Sequence, residues 1–219
     1  MENASKALLM AGGMLIALLV IGALLLVFNQ IGDYEKGKSN MVKSTQVADF
    51  NKEFAKYTGD DIKGYDLVTL IHKSIDFNSK KNMPTKDGTN YVDYSKTMTI
   101  TITNMQNFIK NHGTQNVNEI FSGNEYSLTK ESDGIYKAFI KKNIDYENKY
   151  TIQKLEELST KDFSDENVKK ILGVTTKDFT TKDMDQYREY SEFKSSTFKS
   201  TNVGYDGNQI VSLTFAYVK

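Results

Sequence analysis

Paired carboxylates are the first residues in this chain whose spacing suits chemistry, at Asp60-Asp61 and Asp183-Met184-Asp185. Hydrolases use such pairs as general acid and base, and acids two apart open some calcium loops. The second pair lacks the glycine and distal glutamate that a calcium loop requires. Both pairs fall where the local pattern reads as a turn or a helix start, positions in which Asp caps backbone N–H groups. The two histidines, His72 and His112, stand forty residues apart and outside any H-E-x-x-H spacing, so they define no metal site. There is no cysteine, which removes disulfides, thiolate nucleophiles and cysteine-ligated metals. No G-x-S-x-G elbow, phosphate loop or dinucleotide fingerprint occurs. The expectation is therefore a protein that is not an enzyme, with no catalytic, cofactor-binding or metal-ligating residues and no cofactor.

The element that dominates the chain lies at its front. From Ala7 to Phe28 every residue is apolar or glycine, and no charge falls between Lys6 and Asp33. A helix of about 22 residues rises roughly 33 Å, enough to cross the ~30 Å hydrocarbon core of a bilayer. The run is longer than the apolar stretch of a signal peptide, and no small-x-small cleavage pattern follows Phe28. It therefore reads as an uncleaved signal anchor over residues 1–30, a single-pass transmembrane helix whose first partner is the lipid bilayer. Gly12, Gly13, Ala17 and Gly22 place small residues along it, without a clean G-x-x-x-G. Lys6 precedes the run and Lys36, Lys38 and Lys43 follow it; counted literally, this leans toward a cytoplasmic C-terminal domain. Against that count, Asp33 and Glu35 lie nearest the membrane, and long domains translocate largely regardless of charge. The expectation is an extracytoplasmic C-terminal domain at the cell membrane.

The remainder of the chain is polar but not structureless. The 28 basic and 28 acidic residues cancel, so no basic footprint points to nucleic acid as a partner. Thirteen Tyr and twelve Phe supply the bulk for a core. Residues 31–57 read as a stalk helix, with Val47, Phe50, Phe54 and Tyr57 on one stripe for docking against a globular domain at 58–219. A second helix is expected over Asp66–Phe77. A polar loop at 78–89 holds Pro84 and the turn signal Asp87-Gly88. A strand over Val92–Thr103 would bury Val92, Tyr94, Met98, Ile100 and Ile102 and turn its threonines to solvent. Short helices are expected at Met105–Lys110, before a turn at Asn111-His112-Gly113, and at Val117–Phe121. A hairpin is expected between Glu125–Lys130 and Ile135–Tyr146 across Asp133-Gly134. Residues 150–190 read as mostly helical, with Ser164 as an N-cap and Gly173 as a stop. Thr160-Lys161-Asp162-Phe163 recurs as Thr176-Lys177-Asp178-Phe179, repeated helix-start chemistry rather than a solenoid. A last hairpin pairs Ser196–Tyr205 with Gln209–Val218 across Asp206-Gly207-Asn208, with Val211, Leu213, Phe215 and Tyr217 inward. The fold class is α+β: a long N-terminal helix, transmembrane plus stalk, then an antiparallel β-sheet head with flanking helices.

The opening Met1-Glu2-Asn3-Ala4-Ser5-Lys6-Ala7-Leu8, the stretch Gly64-Tyr65-Asp66-Leu67-Val68-Thr69-Leu70-Ile71 and the tail Phe193-Lys194-Ser195-Ser196-Thr197-Phe198-Lys199 resemble uncharacterised single-pass membrane proteins of Gram-positive bacteria. The layout is similar to type IV pilins and secretion pseudopilins, whose N-terminal helix runs from the membrane into a sheet-bearing head. It departs from them in lacking a leader glycine followed by an aromatic or Met residue with glutamate at the fifth mature position. The resemblance implies a pilin-like cell-surface or secretion-assembly subunit, meeting copies of itself or other envelope-assembly proteins through the N-terminal helix. The alternative is a monomeric membrane-tethered binding module that recognises an extracellular ligand or partner protein.

Overall fold

A computed structural model of the chain describes residues 2–82, 92–112, 125–129 and 136–219. The chain divides into two compact units, Met1–Ala48 and Asp49–Lys219. Helix α1 (Glu2–Ala55) runs through Gly32 and Gly37 without a break, although glycine is a poor helix former. The division falls inside this helix rather than at residue 57, where the sequence pattern ends the stalk. The reason is the apolar stripe: Phe54 is buried in the core of the second unit, and Phe50 and Tyr57 pack against it. The Phe50 ring lies 4.8 Å from Phe54 and 5.1 Å from Phe77.

Strand β1 (Ile62–Lys63) leads directly into helix α2 (Gly64–Ser79), which buries Leu67, Leu70, Ile71, Ser74 and Phe77 on one side. Its first residue has to be glycine, because a Cβ there would overlap the carbonyl group of Phe193. Strand β2 (Thr99–Thr103) is shorter than the alternation from Val92 suggests. Asp93 Oδ1 accepts from the Ser95 N–H at 2.9 Å and from its hydroxyl, and this Asx turn diverts residues 92–98 from strand geometry. Helix α3 (Met105–His112) follows, so His112 closes a helix rather than occupying a turn. Strand β3 (Glu125–Ser127) forms within the expected Glu125–Lys130 stretch, but it pairs with β2, and its predicted hairpin partner is not a strand. Residues Tyr136–Lys141 form a π-helical turn that continues into helix α4 (Lys142–Tyr150). Tyr136, Phe139, Ile140 and Asn143 are buried at spacings of three and four, which is helical periodicity. The expected helix at Val117–Phe121 and the turns at Asp87-Gly88 and Asp133-Gly134 lie outside the described residues.

Helices α5 (Ile152–Ser159), α6 (Asp165–Leu172) and α7 (Thr181–Ser195) fill the expected helical stretch. The Ser164 hydroxyl accepts from the Asn167 N–H, and Gly173 closes α6 in the left-handed region at φ 75°. Thr180 and Asp183 make a reciprocal capping box on α7. Each Thr-Lys-Asp-Phe copy thus directly precedes an N-cap. Strands β4 (Thr197–Asp206) and β5 (Gln209–Tyr217) form the C-terminal hairpin with a tight Gly207-Asn208 turn.

The sheet order is β1-β4-β5-β2-β3. Three pairings are antiparallel, while β2 and β5 run parallel, so the sheet is mixed. Two register shifts interrupt the β4–β5 ladder, between Ser200 and Asn202 and between Gly204 and Tyr205. The second leaves Val211 as an extra residue on β5. That bulge flips the alternation, so Ile210, Leu213, Phe215 and Tyr217 are buried while Val211 is only half-buried.

Candidate functional site

The most distinctive surface of the molecule is the apolar run of α1. Met10 is 71% exposed, Leu18 70% and Phe28 66%, and no part of the run's most apolar window is buried. Such exposure costs a protein in water roughly 25 cal/mol for each Å² of apolar surface, so a run of this length calls for an apolar surrounding. A side chain at Gly12, Gly13 or Gly22 would meet no described atom within 4 Å, so packing against the described residues does not demand those glycines. One long apolar helix near the N-terminus is compatible with a single-pass membrane anchor. The charged residues after it, Asp33, Glu35, Lys36 and Lys38, are all exposed.

The acidic pairs do not converge on a common point. Asp60 pairs with Lys199 at 2.9 Å and Asp61 with Lys63 at 2.9 Å, and both carboxylates are largely solvated. Asp185 is bound to Arg188 at 3.2 Å on its own helix. Asp183 is the buried member, 2.7 Å from the Lys142 ammonium and bonded to the Thr180 N–H at 2.9 Å. Burial by itself pushes the Asp183 carboxyl up. Lys142, the Thr180 N–H and hydroxyl, and the Tyr146 hydroxyl outweigh that effect and hold it down at about 2. An acid so firmly ionised and fully occupied is a structural anion, unsuited to donating a proton near neutral pH. It ties α4 to the start of α7.

His72 lies on the exposed side of α2, and partial burial lowers its imidazole pKa. His112 faces Glu192 at 3.8 Å, far along the chain from His72 and in a different pair of helices. Among the described residues no three His, Asp or Glu side chains gather to hold a metal ion. The threonine row also differs from expectation. Thr99, Thr101 and Thr103 lie in register beside Ser212, Thr214 and Ala216, and Thr101 also faces Ser127 across β3. Thr101 is 8% exposed, because a strand flanked on both sides has its hydroxyls enclosed by neighbours rather than solvated.

Sequence reading misses Asn51, and it is the residue that stitches the end of α1 to the hairpin. Its Nδ2 donates to the Asn208 carbonyl at 2.6 Å, and its Oδ1 accepts from the Ile210 N–H at 2.9 Å. A side-chain amide here replaces the main chain of a neighbouring strand. Its only sequence signal is a polar residue beside the apolar stripe of α1, which does not name a partner. Glu53, one helical turn before Tyr57, adds an ion pair with Lys73 of α2. No protein-family model, curated protein or solved structure matches the chain.

Proposed function

We propose that this chain is a non-enzymatic, single-pass membrane protein of a bacterial envelope, with residues 7–28 in the cell membrane and the Asp49–Lys219 unit acting as an extracytoplasmic head. Its role in this reading is that of a pilin-like or secretion-assembly subunit, meeting copies of itself or envelope partners. The observation that carries the proposal is the solvent-exposed apolar stretch of α1 from Met10 to Phe28, for which a bilayer is the natural surrounding. Two further features support a non-catalytic head. Each acidic pair is absorbed by local ion pairs and caps, and Asp183, the buried member, is committed to Lys142. Because the head has a core of its own, a monomeric tethered binding module is the second reading.

Alkaline carbonate extraction of cells expressing the full chain tests the anchor, and protease treatment of intact cells tests the side on which the head lies. The expected result is a chain retained in the membrane pellet, with the head removed by external protease. Release into the carbonate supernatant refutes the anchor, and protection from external protease reverses the orientation. Chemical crosslinking in the same membranes distinguishes a self-associating subunit from a monomeric module.

A further inference from the structure

The two strands of the C-terminal hairpin are treated differently along their outer edges. On the β5 side, Asn51 occupies the hairpin end and β2 pairs with Ser212–Ala216. On the β4 side, β1 reaches only Thr197 and Phe198, and Gly59 accepts the Ser200 N–H at 2.8 Å. Beyond that point no described residue pairs with the edge. Ser200 faces outward, and alternation through the ladder directs the main-chain N–H and C=O of Val203 and Tyr205 to the same side. Among the described residues no backbone group meets them there. Edges of this kind are ordinarily blunted by lysine or proline, yet Thr201–Asp206 contains neither. Tyr205 is 59% exposed.

We propose that this edge pairs with the same edge of a second copy of the chain, antiparallel and centred on Gly204. In that register Val203 of each copy lies opposite Tyr205 of the other, and about four main-chain hydrogen bonds form across the two-fold axis. The side chains suit it. Val203–Tyr205 is a favourable β-branched–aromatic pair, Asn202 meets Asp206, and no like charges face each other. Gly204 sits on the axis, where two side chains would otherwise meet, and its own Cβ position is already taken by the Ser212 hydroxyl. The occupant is a second copy rather than a soluble partner because the edge is too small to hold one. Stable interfaces bury about 1,200 Å² or more, well beyond a six-residue strand edge, whereas two chains anchored in one membrane meet at high effective concentration. The choice of a second copy rests on the membrane-anchored reading of α1.

The chain has no cysteine, so the register can be read directly. Two differently tagged full-length chains carrying N202C and D206C are co-expressed and their membranes oxidised. Residues 202 and 206 form a non-hydrogen-bonded pair of the proposed register, close enough for a disulfide, while two copies of either position alone lie roughly 13 Å apart. The expected result is a heterodisulfide at about tenfold the yield of either homodisulfide. It should fall about tenfold when Val203→Pro removes two of the hydrogen bonds or Tyr205→Lys charges the edge. Circular dichroism checks that the variants fold, and Tyr205→Lys decides should Val203→Pro fail. Equal hetero- and homodisulfide yields, absence of both, or indifference to Tyr205→Lys overturns the pairing. The membrane pellet is assayed separately, so release of the chain refutes the anchor without being mistaken for failure of the edge.

Discussion

Replacing Thr151 with glycine should make the protein more stable, although the change deletes a side chain. Thr151 joins α4 to α5 with φ 67° and ψ 147°, a region open to glycine and closed to a β-branched residue. The chain turns there within one residue: the Thr151 N–H still donates to Glu147, and its carbonyl accepts from Leu155 at 3.3 Å. Burial of Tyr150 on one side and of Leu155 and Leu158 on the other holds the bend in place. Thr151 itself is exposed and makes no capping hydrogen bond with its side chain, so its removal forfeits little. Such backbone strain costs about 1–3 kcal/mol. Glycine returns about 0.5–1 kcal/mol of that through the larger freedom of its unfolded chain. The net gain is about 0.5–2 kcal/mol, or a rise in melting temperature of roughly 2–6 °C for a chain of this size. Thermal unfolding of the full-length protein in detergent, followed by circular dichroism, measures it. Thr151→Ala is the control, since it keeps the Cβ that the conformation disfavours and should gain little. A lower melting temperature for Thr151→Gly, or an equal gain for Thr151→Ala, refutes the strain argument.

Gly64→Ala should destabilise the head by about 1–3 kcal/mol or more, because its methyl group meets rigid backbone at Phe193 rather than a yielding side chain; chemical denaturation at constant slope measures the loss. The Lys142–Asp183 pair should give the head an acid-sensitive limb. A carboxyl lowered from about 4 in the unfolded chain to about 2 contributes stability that is complete above pH 4 and disappears as the pH falls through 2. Asp183→Asn should flatten that limb while lowering stability at neutral pH, and melting curves between pH 2 and 6 compare the two. An unchanged acid limb in Asp183→Asn assigns the sensitivity to other carboxylates.

The parts of the fold that were legible in the sequence are those in which neighbours decide. Ser164 and Gly173 bound α6 through bonds spanning three or four residues, and Asp206-Gly207-Asn208 closes its hairpin locally. The stripe of Phe50, Phe54 and Tyr57 announces a buried face by period alone. Errors arise where two periods coexist or where the partner is remote. In Ile135–Tyr146 alternate residues can be read as a strand, yet Tyr136, Phe139, Ile140 and Asn143 satisfy helical spacing too, and packing against α7 selects the helix. The parallel pairing of β2 with β5 and the Asn51 clamp join residues more than a hundred positions apart, and no local pattern encodes them. For the site, Asp183 was legible as a cap because it sits three residues after Thr180, whereas Asp60, Asp61 and Asp185 make ion pairs instead. Lys142, which makes Asp183 a buried anion, comes from another helix and left no such trace.

The position at which the head begins can be decided by shortening the chain. A domain drawn from the end of the stalk pattern, at Thr58, excludes Phe50, Asn51, Glu53 and Phe54. Phe54 is 3% exposed, and loss of a buried phenylalanine side chain costs about 3–5 kcal/mol. The two Asn51 hydrogen bonds add about 1–3 kcal/mol, more if the Ile210 N–H is left without a partner. Against a total stability of about 5–15 kcal/mol, the combined loss approaches the whole for a domain of ordinary stability. A chain starting at Asp33, which retains the stripe but not the apolar run, should be soluble and melt cooperatively. One starting at Thr58 should show no cooperative transition and should bind a hydrophobic dye. If the Thr58 chain melts cooperatively within a few degrees of the Asp33 chain, the end of α1 is only a tether and not part of the core.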